Sequence, residues 1–161
     1  MKSCIAIDPS INNLGIAIFL DDVLHTYDLV HPQANLTGEK DYTLKARDMM
    51  NKIRAILNKV KEIDSKVQLV TEIPDHFGDS GRGYIARETG AILKLSFVCG
   101  MICGLSEDTI VYKPSAWKGQ MSKEVVRARL VRQYPDKEIE YLDHNIVDAI
   151  GIGQKYIFGK V

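Results

Sequence analysis

Three short apolar segments joined by tight turns occupy the beginning of the chain, and they restrict its possible folds more than any other feature. The connections are rich in turn formers: residues 8–13 carry Asp, Pro, Ser and Asn, and two aspartates precede the third segment. Short apolar segments connected in this way predict an antiparallel meander of three strands. The segments are residues 4–7, 14–20 and 23–30.

Helix-like and strand-like segments alternate after the meander. Apolar residues recur at helical spacing through residues 41–63, which predicts a long amphipathic helix. Residues 67–73 form a fourth apolar segment that Pro74 stops, so we expect a fourth strand. Residues 84–104 are apolar over most of their length and predict a buried second helix, and residues 109–112 predict a short fifth strand.

The rest of the chain predicts a loop and two further helices. Residues 113–121 are expected to form the loop, and Ser122 is a suitable N-cap for a helix that ends near residue 133. A last helix is expected over residues 142–158. This order predicts an α/β fold: a mixed five-stranded sheet, with three antiparallel strands followed by alternating helices and strands, and helices on both faces. The length fits a single domain over residues 1–161.

The composition is that of an ordinary soluble protein, with 45% hydrophobic and 26% charged residues. No apolar run approaches the roughly 18 residues of a membrane span. Asp8 and Pro9 interrupt the first apolar segment, so it lacks the shape of a signal peptide, and we expect a cytoplasmic protein. Three cysteines without scaffold spacing argue against disulfides and zinc sites.

Charge is unevenly distributed, although the formal net charge is zero. Residues 111–137 carry seven basic and two acidic side chains, a net charge of +5, which leaves −5 for the rest of the chain. A basic surface beside an acidic pocket suits a metal-dependent nuclease. A solvated helix face with surplus basic residues has the same charge pattern, so charge alone favours neither interpretation. The basic residues are Lys113, Lys118, Lys123, Arg127, Arg129, Arg132 and Lys137.

Three acidic residues lie within otherwise apolar elements. Asp8 ends the first strand, Glu72 lies near the end of the fourth, and Asp148 interrupts the apolar surface of the last helix. Each has an ordinary explanation, as a turn cap, a partner of a lysine or an exposed residue. Because an unpaired charge in an apolar element is destabilising, three such residues together predict a shared site.

Carboxylates gathered at one place raise one another's pKa, and a divalent cation removes the repulsion. Their hard oxygen ligands suit Mg²⁺ or Mn²⁺. Two such ions, roughly 3.5–4 Å apart, activate water and stabilise the leaving oxygen in phosphodiester cleavage. The three acids therefore predict a metal-dependent nuclease.

The sequence resembles the RuvC family of Holliday-junction resolvases, in the ribonuclease H-like superfamily, at three places. Residues 5–18, Ile-Ala-Ile-Asp-Pro-Ser-Ile-Asn-Asn-Leu-Gly-Ile-Ala-Ile, resemble its first motif of an apolar strand, Asp-Pro, a turn, Gly and a second apolar strand. Residues 70–73, Val-Thr-Glu-Ile, resemble the second motif, and residues 143–153 resemble the C-terminal motif, in which Asp-Ala opens an apolar helix. The resemblance spans most of the chain and is nearest to the compact bacteriophage members.

The resemblance implies a structure-selective endodeoxyribonuclease that uses a two-metal mechanism. Its expected substrates are chiefly four-way DNA junctions, with DNA forks as an open alternative. Asp8, Glu72 and Asp148 would bind the metal ions. The resemblance also implies a homodimer that acts on branched DNA. The apolar segment 84–104 is a candidate for its interface, and equally a candidate for the central helix of the domain itself.

The identity of a fourth metal ligand stays open in the sequence. The family often has an acid three residues before the last carboxylate, and that position is Asn145 here. His144 lies one helical turn before Asp148 and shares its face, while Asp143 is the nearest acid. Asp143 and His144 are therefore equal candidates for a ligand or proton carrier, and Asn145 is a weaker neutral one.

Two lysines also match family positions, one just after the fifth strand and one at the start of the next helix. Lys113 and Lys123 occupy those places and would hold phosphates as point charges, unless they are ordinary surface lysines. Lys118 and Arg127, in the same basic segment, are expected to contact DNA. Trp117 is interpreted as a packing anchor rather than a residue that stacks on bases.

The loop over residues 75–83 follows Glu72, and in the family this region reaches the junction centre with an aromatic residue. Phe77 is the candidate here, with His76 beside it, and Arg82 would contact phosphate. Stacking of an aromatic residue on a base contributes roughly 1–3 kcal/mol. The alternative is that Phe77 folds back onto the core.

Three other classes of function share some of these sequence features. Sugar kinases and actin-like ATPases begin with a similar Asp, turn and Gly, but they need two such domains and leave Glu72 and Asp148 unexplained. A related nuclease that acts on RNA or ribosomal RNA precursors has the same fold, although residues 113–123 fit the resolvases better. A branched-DNA-binding module without catalysis would usually have lost one of the three acids.

Overall fold

The computed structural model describes residues 1–33, 36, 42–74 and 90–161. Five strands and five α-helices are seen in these residues, together with two short 3-10 helices at Pro135–Lys137 and Ile139–Tyr141. The strands are β1 (Cys4–Asp8), β2 (Leu14–Leu20), β3 (Val23–Val30), β4 (Gln68–Glu72) and β5 (Ile110–Tyr112). The helices are α1 (Tyr42–Ile63), α2 (Ala91–Cys103), α3 (Pro114–Trp117), α4 (Lys123–Gln133) and α5 (His144–Phe158).

The strands form one mixed sheet in the order β3-β2-β1-β4-β5. The first three strands are antiparallel neighbours, whereas β4 runs parallel to β1 and β5 runs parallel to β4. The predicted mixed five-stranded sheet is thereby confirmed. Since parallel strands end on the same side, the carboxyl ends of β1 and β4 lie next to each other.

Two apolar cores lie on opposite faces of the sheet, as the alternation of residues along each strand requires. Cys4 and Ala6 of β1 face a core shared with α4 and α5, whereas Ile5 and Ile7 face a core shared with α1 and α2. The prediction of helices on both faces is confirmed. The small Ala6 side chain allows α5 to pack closely on its face of the sheet.

The closest approach of α5 to the sheet occurs at Gly15. A Cβ atom added at Gly15 would lie 1.9 Å from the backbone oxygen of Asn145, at the start of α5, so no side chain fits between the two backbones. Gly15 pairs with Asp8 in the β1–β2 ladder. The absence of a side chain at this position therefore brings the first turn of α5 next to Asp8.

Helix boundaries follow local capping chemistry. Ser122 caps α4, as predicted, and its hydroxyl accepts a hydrogen bond from the backbone N–H of Val125 at 3.4 Å. Asp143 caps α5, and its Oδ1 accepts one from the N–H of Asn145 at 2.8 Å. The last helix therefore begins slightly later than the sequence predicted, because the capping side chain and not the preceding Leu142 fixes its first turn.

Two predictions about local structure were wrong. Residues 113–121 are not entirely a loop, because α3 lies within them; Pro114 occupies the first helical position, where its ring favours the helix and its missing N–H is harmless. Helix α2 is not a fully buried helix, since Leu93 is 76% exposed and Phe97 is 40% exposed. Among the described helices, none is both long and apolar enough to cross a bilayer.

Candidate active site

Asp8 and Glu72 lie side by side because they end adjacent parallel strands. Ile7 pairs with Thr71 in the β1–β4 ladder, so the next residue on each strand is one of the two acids. The Thr71 hydroxyl also donates a hydrogen bond to the Ile7 carbonyl at 3.1 Å, which fastens the strand ends together. Neighbouring strands are about 4.8 Å apart, so the two carboxylates start from closely spaced backbones.

Both acids point to the face of the sheet that α5 covers. Asp8 follows Ala6 by two residues and Glu72 follows Val70 by two, and both of those apolar residues belong to the α5 core. Asp148 lies on α5 itself and is 5% exposed, while Asp8 is 6% exposed. The fold thus brings three acids that are far apart in sequence to one place.

The acids of the site act on one another electrostatically. Burial raises the pKa of Asp8 well above its ordinary value, and the negative charges of Glu72 and Asp148 raise it further. Burial also raises the pKa of Glu72, to which Asp148 adds. Glu72 and Asp148 therefore destabilise the ionised form of Asp8, so positive charge brought to this site would be favoured.

Two lysines already supply positive charge. Lys118 Nζ lies 3.7 Å from Asp148 Oδ2, in a half-buried position. The charges of Lys118 and Lys123 lower the pKa of both Asp8 and Glu72, opposing the effect of burial. The sequence predicts only a DNA contact for Lys118, whereas in the structure its ammonium lies beside the carboxylate of Asp148. Lys113, which the sequence also predicts to hold phosphate, occupies the N-cap of α3.

Trp117 holds the side chain of Glu72. Its indole Nε1 donates a hydrogen bond to Glu72 Oε2 at 2.7 Å, and the residue is only 3% exposed. Its burial agrees with the interpretation of Trp117 as a packing anchor. The hydrogen bond lowers the pKa of Glu72 against the effect of burial. Nothing in the sequence pattern links these two residues, which lie on different elements.

The three candidates for a fourth ligand differ in position. Asp143 Oδ1 is engaged in capping α5. His144 Nδ1 lies 3.6 Å from that same oxygen, and its side chain is 54% exposed. Asn145 is buried, and its Nδ2 donates a hydrogen bond to the Asn13 carbonyl at 3.3 Å. Asn145 thus ties the start of α5 to the turn that follows Asp8, while His144 faces solvent.

The donor set suits a hard divalent cation. Carboxylate oxygens are the ligands that Mg²⁺ and Mn²⁺ prefer, and a cation would relieve the repulsion that raises the pKa of Asp8. Within the part of the chain that the structure describes, no three His, Cys, Asp or Glu side chains converge as a ready cluster for a metal ion. Glu72 and Asp148 instead direct one oxygen each towards Trp117 and Lys118.

Arg127 is engaged in the support of the site. Its Nη1 donates hydrogen bonds to the carbonyls of Ile139 at 2.8 Å, Glu140 at 3.0 Å and Leu142 at 2.8 Å. These carbonyls belong to the segment that leads into the Asp143 cap and α5. The basic segment predicts that Arg127 contacts DNA, whereas in the structure its guanidinium holds the segment before α5.

Replacing Arg127 with alanine should lower the free energy of unfolding by about 2–3 kcal/mol, because three carbonyls lose a charged donor. Arg132→Ala is the matched control, since Arg132 is exposed on the same helix and its loss should change stability by less than about 0.5 kcal/mol. Urea denaturation measures both. Equal stabilities of the two variants would mean that the Arg127 hydrogen bonds contribute nothing.

Three further sequence candidates lie outside the described residues. These are His76, Phe77 and Arg82 of the segment that follows Glu72 in the sequence. Their assignment to DNA contact stays a prediction.

The comparisons with known proteins bear on the fold. No family model and no curated protein matches the sequence. The structure is similar to that of Thermus thermophilus RuvC in complex with a Holliday junction substrate, with a TM-score of 0.59 and 18% identity over 99% of this chain and 95% of that one. It is similar to Thermus thermophilus RuvC in a second structure, with a TM-score of 0.57 and 19% identity over 98% and 95% of the two chains.

A third similar structure comes from yeast. It is the mitochondrial Holliday junction resolvase Ydc2, with a TM-score of 0.55 and 15% identity over 97% of this chain and 78% of that one. All three similarities extend over nearly the whole of this chain. The chain therefore has the ribonuclease H-like fold that the RuvC and Ydc2 resolvases share.

Proposed function

We propose that this protein is a metal-dependent endonuclease that resolves branched DNA, chiefly four-way junctions. The observation that carries the proposal is the meeting of Asp8, Glu72 and Asp148 on one face of the sheet, where their charges raise the pKa of Asp8. Their position on a fold shared with RuvC and Ydc2 supports the same reading. We take residues 1–161 as one nuclease domain.

In this proposal Asp8, Glu72 and Asp148 hold Mg²⁺ or Mn²⁺, with two ions in each site. The chemistry that the bound ions supply is activation of water and stabilisation of the leaving oxygen. Asn145 contributes by holding the start of α5 against the turn after Asp8, and Asp143 by capping that helix. His144, exposed beside Asp143, is proposed as a ligand or proton carrier.

The lysines would bind the DNA backbone close to the carboxylates. Lys118 and Lys123 act electrostatically on Asp8 and Glu72, so a phosphate held by them would lie near the acids. Lys113 extends this basic surface at the start of α3. His76, Phe77 and Arg82 are proposed to reach the branch point, with Phe77 against unpaired bases.

We also propose that the protein is a homodimer, so that two sites cut opposed strands of the junction. The support is helix α2, where Leu93 and Phe97 are exposed one helical turn apart. Lys94 is the only charged residue of that helix. An exposed apolar helix face is suited to pack against its copy. The similarity to compact phage resolvases and the cytoplasmic location stay predictions.

Replacing Leu93 with glutamate should weaken the dimer at least about tenfold, because a charge would be buried in an apolar interface. Sedimentation velocity over a range of protein concentrations measures the change. Ile63→Glu, an exposed apolar residue at the end of α1, is the matched control and should leave the dimer unchanged. A wild-type protein that stays monomeric at high concentration would contradict the dimer.

The nuclease proposal is tested with a labelled synthetic four-way junction in the presence of Mg²⁺ or Mn²⁺. We expect paired nicks in opposed strands, no cleavage after chelation of the metal, and slower cleavage of a linear duplex of the same sequence. Preferential cleavage of structured RNA would favour the related RNA-processing activity. Tight binding of the junction without cleavage of any substrate would leave a non-catalytic binding module.

A further inference from the structure

The hydrogen bond from Trp117 to Glu72 links helix α3 to one of the candidate metal ligands. Glu72 ends β4, and its Oε2 accepts the indole N–H at 2.7 Å. Hydrogen bonds to an ionised carboxylate are short and stronger than those between neutral groups. Because Trp117 is 3% exposed, water competes little for this donor. The bond therefore restrains a glutamate side chain that would otherwise rotate freely about several torsions.

The indole itself has two close neighbours. A Cβ atom added at Gly151 would lie 2.5 Å from Cζ3 of the ring, so the ring rests directly on the backbone of α5. The Lys118 ammonium lies over the ring, 4.8 Å from its centroid. Gly151 follows Asp148 by less than one helical turn, so the helix that carries Asp148 also supports the indole that holds Glu72.

We propose that Trp117 is a positioning residue for Glu72: it holds Oε2 in place and so orients the carboxylate for the cation that Glu72, Asp8 and Asp148 would hold. This inference rests on the proposed metal-dependent function. A ligand oriented in advance loses less rotational freedom when a cation binds, so affinity increases. Partners that orient metal-binding side chains in this way typically contribute about 10–100-fold in affinity.

Trp117 is the only tryptophan in the chain, so its N–H gives a single indole signal in a ¹H–¹⁵N NMR spectrum. We expect that signal to lie at the low-field end of the indole range in the wild type. It should move upfield in Glu72→Gln, in which the acceptor loses its charge. An indole signal that stays in the same place in Glu72→Gln would overturn the inference without reference to metal or DNA.

Trp117→Phe is the matched variant for metal binding, because phenylalanine keeps an aromatic ring on Gly151 but has no N–H to donate. Calorimetric titration with Mn²⁺, without DNA, should give an affinity about tenfold weaker than in the wild type. Tyr141→Phe, which loses a polar atom from an 82% exposed side chain, should bind Mn²⁺ like the wild type. Equal Mn²⁺ affinity in Trp117→Phe and wild type would overturn the inference.

The two proposals fail in different ways. If the wild type binds Mn²⁺ and Trp117→Phe binds it more weakly, but no branched DNA is cut, the positioning role stands and the nuclease proposal falls. If the junction is cut equally well by wild type and Trp117→Phe across the whole range of Mn²⁺ concentrations, the nuclease stands and the positioning role falls.

Discussion

Asp8→Asn should reduce junction cleavage by about 10³-fold or more while making the metal-free protein more stable. A bound metal ion supplies several kcal/mol of transition-state stabilisation, and about 4 kcal/mol corresponds to a thousandfold in rate. Asparagine keeps the size of the side chain but removes the charge on which metal binding at the end of β1 depends. Junction binding should persist, because Lys118 and Lys123 are unchanged.

The gain in stability follows from the pKa of Asp8. Burial first, then Glu72 and Asp148, raise that pKa above the ordinary value of 3.8, so ionisation is less favourable in the folded protein than in the unfolded one. As the pH rises from about 4 through the raised pKa, the folded state must lose a proton that the unfolded state has already lost, and stability falls. Asparagine avoids this loss of stability near neutral pH, because it has no proton to lose.

Thermal unfolding at several pH values tests this dependence of stability on pH. Without metal, the advantage of Asp8→Asn over the wild type should grow as the pH rises and vanish near pH 4. Saturating Mg²⁺ should stabilise the wild type and reverse the order, because a ligand that binds only the folded state stabilises it. A variant that is less stable than the wild type at every pH, with and without Mg²⁺, would contradict the raised pKa of Asp8.

Gly15→Ala should lower the free energy of unfolding by about 4 kcal/mol or more, or prevent folding. The added Cβ would meet the backbone oxygen of Asn145 at 1.9 Å and its carbonyl carbon at 2.2 Å, and a backbone cannot turn aside as a flexible side chain can. Either β2 or the start of α5 must move. Because Gly15 pairs with Asp8, the displacement should also weaken Mg²⁺ binding in whatever protein remains folded.

Gly100→Ala provides the matched control. Gly100 lies within α2, and a Cβ added there meets nothing within 4 Å. Alanine in a helix is favoured over glycine by roughly 0.5–1 kcal/mol, so this variant should be slightly more stable than the wild type. Chemical denaturation gives both values. A Gly15→Ala variant within about 1 kcal/mol of the wild type would rule out the close approach of α5.

The sheet and the meeting of the three acids were predictable from local pattern. Alternating apolar segments with tight turns gave the meander, and a carboxylate in an apolar element is unusual enough to mark a site. Asp8 and Glu72 both end strands, so a parallel pairing of those strands was sufficient to bring them together. Asp148 required only that the last helix cover the same face.

The supporting contacts were not predictable, because they depend on backbone paths without a sequence signature. Trp117 meets Glu72 only because α3 turns the chain after β5, where the sequence indicated a loop. The same turn places Lys118 against Asp148. Arg127 binds backbone carbonyl groups of an irregular segment. Because every residue type has such a carbonyl, the sequence does not indicate this contact. The exposure of Leu93 depends on how α2 is rotated about its axis, which composition does not determine.

The proposed nuclease site draws its three carboxylates from the beginning, the middle and the end of the chain. Such contacts between residues distant in sequence form late in folding. The chain between the two residues must first close into a loop, which costs entropy before the contact can stabilise the fold. On the ribosome, Asp8 and Glu72 emerge long before Asp148, so no competent centre exists until α5 has been synthesised and has docked on the sheet. Nascent chains and partly unfolded molecules would therefore not cleave DNA, and the proposed nuclease activity would appear only once the native state has formed.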